Sequence, residues 1–319
     1  MPEFSTSLGC SDASHFFQGE KNIVYSIAVN PSRSEHRLDI HGGAVGTLLL
    51  TQGAPDDDEI KVDVSVRGDQ QGPIDQVSVY TPTADEVIDG LSNSRLRLMT
   101  PNNLAGGCMR YDMTLRVPSN LKNLRIESVS VLQLKFDPNA KLDLDVLSVV
   151  MQASGTPDLI LPTKDIHAAH LSLEMTHGWM YGEVSISEKT SLYTQRGDAI
   201  SNVKIYPLPS FGETIRDAEL QTTTGHGRSD FTWIGNPGAP HRRIESVHRS
   251  SRWGDLYLTY KGAEFNGRVD VAAKAYSASG ISGMGLSRSN ESELPWVGDK
   301  EGGDLVKVRS EQGWVGLYF

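Results

Sequence analysis

Apolar and polar residues alternate over short runs along most of the chain, and this pattern constrains the fold more than any other feature. The run at 60–67 alternates over eight residues. Shorter runs of the same kind occur at 96–98, 113–117, 124–127, 142–146, 171–175, 184–186, 203–205, 256–258 and 306–308. A period of two places one face of each run in the core and the other in water, as in a β-strand. Helical spacing is confined to 83–91, so the sequence predicts an all-β protein.

The second half of the chain contains a loose repeat in which a polar stretch meets a glycine-containing turn and then a short apolar strand. The marker glycines of this repeat are Gly178, Gly197, Gly225, Gly254 and Gly313. Repeating units of about 20–30 residues are typical of solenoids, whose units stack their apolar faces. We therefore predict a right-handed β-solenoid, a β-helix-like stack of irregular rungs. An ordinary β-sandwich with irregular turns is the alternative.

These patterns divide the chain into three parts. We predict an N-terminal arm at 1–19, a strand-rich section at 20–118 and a stacked, solenoid-like section at 119–319. The last two parts are expected to form one continuous body.

Charge and hydropathy exclude several classes of protein. The 319 residues include 30 Lys and Arg against 40 Asp and Glu, a formal net charge of −10. Such a surplus repels phosphate backbones, which argues against nucleic-acid binding. No apolar run approaches the roughly 18 residues of a transmembrane helix. The opening MPEF is typical of residues added by cloning, which leaves room for a signal or membrane anchor ahead of it in the native protein.

The chain has two cysteines, Cys10 and Cys108. One hypothesis is a disulfide that ties the N-terminal arm to a later strand, and the other is two unrelated buried thiols. A single N-glycosylation sequon begins at Asn290. A disulfide and a sequon both favour an extracellular or cell-surface protein.

Three carboxylates are the candidates for catalysis if the protein is an enzyme. Asp143 and Asp145 alternate with the apolar residues of 142–146, so that all three apolar residues are expected to face inward and both carboxylates outward. Their Cα atoms would lie about 6.6 Å apart, which is compatible with the carboxylate pair of a glycosidase. Glu174 has a similar position in a later run. Outward carboxylates are also ordinary on a solvated strand, so both interpretations stay open.

Cofactor and metal motifs are not evident. His167 and His170 form an H-x-x-H pair, but on a strand this spacing predicts rings on opposite faces, which does not suit a metal ion. The sequence also lacks the motifs of a serine nucleophile, a phosphate-binding loop and a dinucleotide site. We therefore expect neither a metal nor a cofactor.

Aromatic residues beside the turn glycines are the candidates for ligand binding. They are Trp179, Tyr181, Trp233, Trp253, Tyr257 and Trp314. Rings exposed at turn edges would stack on sugar rings, whereas buried rings would fill the ends of the core. The sequence leaves both roles open.

Four stretches, at 113–124, 178–187, 194–207 and 307–319, carry a resemblance to a known group of proteins. The segment TQRGD at 194–198, followed by a short strand, is similar to turns of the adhesin-like domain of unknown function in bacterial surface proteins. More specifically, the chain resembles uncharacterised fungal, basidiomycete-type extracellular proteins with this domain, and Cys10 and Cys108 occur where cysteines of that group are expected. The resemblance implies a β-solenoid-like fold and an extracellular setting, without an established activity.

Two functions are compatible with these observations. The first is an extracellular, non-catalytic binding or adhesion-like module whose ligand is a cell-wall glycan or a partner protein at the cell surface. The second is a polysaccharide-active enzyme, a glycoside hydrolase or lyase, that uses surface carboxylates in a solenoid groove. The absence of a nucleophile motif favours the first, and the net charge of −10 favours a neutral glycan as the substrate of such an enzyme.

Overall fold

The computed structural model describes residues 1–29, 35–83, 94–104, 106–153, 157–194, 197–209, 216–235, 240–283 and 294–319. It confirms the all-β prediction, with 60% strand, almost no helix and a large, mostly parallel sheet. The described helices are α1 (Gln71–Ile74) and two 3-10 helices (Thr6–Leu8 and Phe17–Gly19). No helix in these ranges is long and apolar enough to span a membrane. The helix predicted at 83–91, apart from Thr83, and the sequon at Asn290 lie outside the described residues.

The chain forms two compact units. The first consists of Met1–Ile166 and His177–Trp179, and the second of His167–Thr176 and Met180–Phe319. Residue 118, where the sequence suggests a boundary, lies inside the first unit.

The first unit combines parallel and antiparallel strands. Its described strands are β1 (His15–Phe16), β2 (Ile23–Ala28), β3 (His36–His41), β4 (Val45–Gln52), β5 (Glu59–Gly68), β6 (Ser78–Tyr80), β7 (Ser94–Met99), β8 (Met109–Val117), β9 (Asn123–Ser128), β10 (Leu132–Phe136), β11 (Leu142–Met151) and β12 (Leu159–Leu161). One parallel series runs β7–β3–β9–β11 and another runs β8–β4–β10–β12. β5 pairs antiparallel with β1, β2 and β8, and β6 pairs antiparallel with β7.

The N-terminal arm is fastened to the first unit by a disulfide. Cys10 and Cys108 are bonded, with their Cα atoms 5.9 Å apart, which confirms the predicted bridge. The buried guanidinium of Arg110 adds three hydrogen bonds, since its Nη1 donates to the carbonyl oxygens of Ser5 at 2.9 Å and Gly9 at 3.1 Å and its Nη2 donates to Ser5 Oγ at 2.6 Å. The arm is therefore held both covalently and by a buried cation.

The remaining strands build the second unit, apart from their residues Ile166 and Trp179, which belong to the first. They are β13 (Ile166–Met175), β14 (Trp179–Ile186), β15 (Lys189–Thr194), β16 (Ile200–Pro207), β17 (Ala218–Thr224), β18 (Arg228–Ile234), β19 (Ile244–Ser250), β20 (Asp255–Gly262), β21 (Gly267–Ser279), β22 (Trp296–Val297) and β23 (Asp304–Tyr318). Strands that are two apart in the chain pair in parallel, which produces the series β13–β15–β17–β19 and β16–β18–β20.

The long strands β21 and β23 join both series. The first half of β23 pairs with β19 and its second half with β20. β21 then pairs along the other side of β23. The last strand of the chain is thus inserted between β20 and β21.

Close packing of backbones explains three of the five marker glycines. A Cβ atom at Gly254 would lie 2.6 Å from the carbonyl oxygen of Gly225, and one at Gly313 would overlap the carbonyl oxygen of Gly254. Gly178, in the first unit, has a φ of +99° and packs against the carbonyl oxygen of Asp158. Only glycine fits such positions, because any side chain would displace the neighbouring strand connection.

The alternation of β11 slips after its first half. The N–H groups of Asp145 and Val146 both donate to the carbonyl oxygen of Lys122, at 2.8 and 3.0 Å, and two consecutive residues bonded to one carbonyl are typical of a β-bulge. Asp143 and Asp145 are exposed as predicted, but Val146 is exposed and Leu147 is buried. The prediction that Val146 faces inward is therefore wrong.

A similar slip changes the positions of two histidines on β13. Ala168 and Leu171 are buried, whereas the two residues between them are accessible. His167 and His170 consequently both lie on the accessible face, so the prediction of opposite faces is wrong. Within the described ranges, no group of three or more His, Cys, Asp or Glu is placed to hold a metal ion.

Candidate functional site

The aromatic candidates differ widely in exposure. Trp253 is 65% exposed, Tyr181 49% and Trp314 39%. Trp179 and Tyr257 are partly exposed. These rings therefore lie at the surface, where a ligand can reach them.

Trp233 is the exception, because it is fully buried. Its ring stacks on Tyr260 with 5.5 Å between the ring centroids, and Tyr260 stacks in turn on Phe319 at 5.1 Å. Trp233 thus belongs to the core, which is one of the two roles that the sequence leaves open. The prediction of Trp233 as a ligand-binding residue is therefore wrong, because neither face of its buried ring is accessible to a ligand.

Two tyrosine rings cover a glycine on the outer surface of β20 and β23, and a tryptophan shares the same face. Trp314, Gly316 and Tyr318 alternate along β23, so their positions share one face of the strand. Tyr257 of β20 pairs with Gly316 across the ladder. A Cβ atom at Gly316 would lie 3.0 Å from the ring carbon Cε2 of Tyr318 and 3.2 Å from Cδ1 of Tyr257. We call Tyr257, Trp314, Gly316 and Tyr318 the aromatic face.

Polar and charged groups border the aromatic face. The guanidinium carbon of Arg228 lies 4.0 Å from the ring centroid of Tyr257, which is a cation–π contact. Two hydrogen bonds, of 2.7 and 2.8 Å, join this guanidinium to Asp230, and they raise the pKa of Arg228. The N–H of Trp314 donates to Asp255 Oδ1 at 2.8 Å. Flat rings beside carboxylates and a guanidinium form a surface that suits a sugar, which has apolar ring faces and hydroxyl groups around its edge.

Of the other two exposed aromatic residues, Trp253 lies close to the aromatic face and Tyr181 lies farther away. Trp253 precedes Gly254, and Gly254 packs against Gly313, the residue before Trp314. Trp253 and Trp314 therefore flank one glycine corner. Tyr181 lies on β14, three strands from β20 in the order β14–β16–β18–β20, or about 14 Å away.

The three candidate carboxylates are divided between the two units. Asp143 and Asp145 are exposed on β11 in the first unit, and Glu174 is on β13 in the second. Their participation in catalysis stays a prediction.

Tyr318, Gly316 and Arg228 were missed by the sequence reasoning. A signal for the first two was present, since residues 314–318 read WVGLY and alternate like the earlier strands. Arg228 carried no comparable signal, because its contact depends on the pairing of β18 with β20.

Two titratable groups lie in the interior away from the aromatic face. Burial raises the pKa of Asp158 to about 7, although its Oδ1 accepts a 2.9 Å hydrogen bond from the N–H of Leu132. Burial lowers the pKa of His248 to about 3, and its ring nitrogens bond to Thr222 at 2.8 Å and Tyr260 at 2.7 Å. His248 is therefore a neutral core residue.

Comparison with known proteins finds similarity only among solved structures. No family model and no curated protein sequence matches the chain. A candidate adhesin from Bacteroides fragilis is 11% identical, with a TM-score of 0.43 over 93% of this chain and 97% of that chain. A candidate adhesin from Parabacteroides distasonis is 12% identical, with a TM-score of 0.30 over 93% and 97%. A candidate cell adhesion protein from Clostridium sporogenes is 10% identical, with a TM-score of 0.22 over 93% and 99%. These three proteins are bacterial, and a fungal origin is not shown.

Proposed function

We propose that the protein is an extracellular, non-catalytic, adhesion-like module that binds glycans on its aromatic face. The observation that carries this proposal is the placement of Tyr257 and Tyr318 against the bare backbone of Gly316, with the exposed Trp314 on the same face. The two tyrosine rings close over the buried backbone of Gly316, so the sugar packs on the exposed ring of Trp314 and on the accessible parts of the tyrosines.

The polar border supports a sugar over a purely apolar ligand. Asp230 and Asp255 lie on the same side of the ladder as Tyr257; both oxygens of Asp230 already accept from Arg228, whereas Asp255 accepts from Trp314 through Oδ1 only. Sugars need hydrogen-bond partners for their hydroxyl groups, since burying an unpaired hydroxyl costs free energy. An apolar ligand would leave these carboxylates facing carbon atoms.

The disulfide supports the extracellular setting. Bonds such as Cys10–Cys108 persist in oxidising compartments and are rare in the cytosol. The parallel pairing of strands two apart supports a solenoid-like winding of the second unit, in which outward side chains of successive turns line up in rows. Such rows explain how Tyr257 and Gly316, far apart in sequence, become neighbours.

A glycan array tests the proposal. The wild-type protein is expected to bind a set of glycans, and Trp314→Ala and Tyr257→Ala to lose that binding. Tyr80→Ala is the matched control, because Tyr80 is an exposed tyrosine of the first unit. A reducing-end assay on the bound glycans addresses the enzymatic alternative. New reducing ends, or unchanged binding by both variants, would overturn the proposal.

A further inference from the structure

The outer surface of β19, β21 and β23 contains two depressions that lie side by side. The first has a volume of about 380 Å³, and its lining includes Lys300 and Lys307. The second has a volume of about 320 Å³, and its lining includes Arg249, Arg309 and one carboxylate, Glu311. Cations thus line both depressions, although the net charge of the whole chain is −10.

The acidic residues of the first depression are already engaged. Glu301 pairs with Arg268 at 3.1 Å, and Asp270 pairs with Arg309. The buried Asp304 pairs with His241 at 3.0 Å, and its carboxylate accepts hydrogen bonds from two backbone N–H groups. Asp270 is also the ladder partner of Lys307, but its carboxylate is bonded to Arg309, so none of these three carboxylates forms an ion pair with Lys300 or Lys307.

Three cations in these depressions remain unpaired within the part of the chain that the structure describes. They are Arg249, Lys300 and Lys307, whereas the neighbouring Arg243 is paired with Asp217 at 3.1 Å. Unpaired charges of one sign in a concave surface attract and concentrate ligands of the opposite sign. We call Arg249, Lys300, Lys307 and Arg309 the basic face.

The spacing of these cations suits a ligand with repeated negative charges. Lys307 and Arg309 are two residues apart on one face of β23, about 7 Å along the strand. Arg249 of β19 pairs directly with Arg309. A linear ligand that follows β23 would therefore meet one cation after another across both depressions.

The sheet geometry favours a glycan over an acidic peptide as this ligand. Peptides that add to a sheet use the free backbone groups of an edge strand. β23 offers no such edge here, because β19 pairs on one side and β21 on the other. A sugar needs only side-chain partners, and the lining includes the apolar Leu305 and the hydroxyl of Thr223.

We infer that the basic face binds an acidic oligosaccharide whose successive sugars carry carboxylates. This second site is separate from the aromatic face and has a different ligand preference. Binding of an acidic sugar at the basic face does not conflict with the net charge of −10, since the electrostatic attraction depends on the nearby cations and not on the total charge of the chain.

Calorimetric titration with a galacturonic acid trimer tests this inference. The wild-type protein is expected to bind the trimer, more weakly at high salt because exposed charges are screened. The double variant Lys307→Gln/Arg249→Gln is expected to bind about tenfold more weakly. The matched control is Lys261→Gln/Lys274→Gln, which removes two exposed lysines that line neither depression.

The outcomes of this titration test the basic face separately from the aromatic face. Loss of trimer binding in the first double variant alone supports it, and a Trp314→Ala protein should still bind the trimer. No binding by the wild-type protein, or equal weakening in both double variants, would overturn it. Equal affinity for a tri-aspartate peptide or for inorganic sulfate would overturn the assignment of an acidic sugar.

Discussion

Gly316 lies directly across the parallel ladder from Tyr257, and a Cβ atom at position 316 would stand 3.2 Å from Cδ1 of that tyrosine. We therefore predict that Gly316→Ala weakens glycan binding by pushing the rings of Tyr257 and Tyr318 out of their places over this buried backbone. The φ angle at Gly316 is not in the left-handed region, so alanine adds crowding without backbone strain. Binding to the glycans found on the array would be measured alongside urea unfolding.

The expected result for Gly316→Ala is weaker binding with a free energy of unfolding changed by less than about 1 kcal/mol. A variant that binds as tightly as the wild-type protein would show that the placement of these two rings over Gly316 is not needed for binding.

The two tryptophans Trp233 and Trp253 should respond oppositely to truncation. Trp233→Ala removes a fully buried ring and is expected to lower the free energy of unfolding by about 3–5 kcal/mol. Trp253→Ala removes a mostly exposed ring and is expected to lower it by less than about 1 kcal/mol. Chemical denaturation followed by circular dichroism would compare them, and similar losses in both would contradict the described burial.

Removal of the disulfide should destabilise the first unit. The bond spans a sequence separation of 98 residues. In the chain-entropy model, a loop of this size corresponds to roughly 4–5 kcal/mol. Cys10→Ser/Cys108→Ser is therefore expected to unfold at lower denaturant concentration, and the wild-type protein should do the same under reducing conditions. If reduction leaves the midpoint unchanged, the bridge does not restrain the unfolded chain as argued.

Asp158 should make stability depend on pH in an unusual direction. Its pKa is about 7 in the folded protein, against 3.8 for an ordinary Asp, so between these values the folded state holds a proton that the unfolded state has released. The free energy of unfolding therefore falls as pH rises from about 4 to 7, by up to about 1.4 kcal/mol per pH unit. Asp158→Asn should remove this contribution, so that the variant gains stability relative to wild type as pH rises.

Urea unfolding of Asp158→Asn at pH values below and above this window provides the measurement. Asp143→Asn is the control, because Asp143 is exposed. A difference between Asp158→Asn and wild type that does not change with pH would contradict the buried, protonated carboxyl.

The local pattern of the chain was predictable, but its long-range pairing was not. Alternation in residues 60–67 and 306–308 indicated strands because burial repeats every second residue. The slips at Val146 and His170 could not be predicted, since a bulge changes the phase without a required residue type. The glycines at 254 and 313 signalled a repeat, and close backbone packing explains it.

The aromatic face illustrates the same limit. Trp314 and Tyr257 were candidates because they are aromatic and near turns, but nothing local places them together. Their proximity depends on the insertion of β23 between β20 and β21, whereas chain order would place β21 beside β20. The pairing of Tyr257 with Gly316, which brings Trp314 to the same surface, follows from that topology and not from any motif.

The most direct measurement of glycan binding at the aromatic face compares Trp314→Phe with Trp314→Ala by calorimetric titration of a glycan that binds the wild-type protein. A flat ring at position 314 should be sufficient for stacking, so Trp314→Phe should keep its affinity within about threefold and Trp314→Ala should lose about tenfold or more. Equal affinity of Trp314→Ala and the wild-type protein would contradict binding at the aromatic face. An equal loss in both variants would contradict stacking as its physical basis.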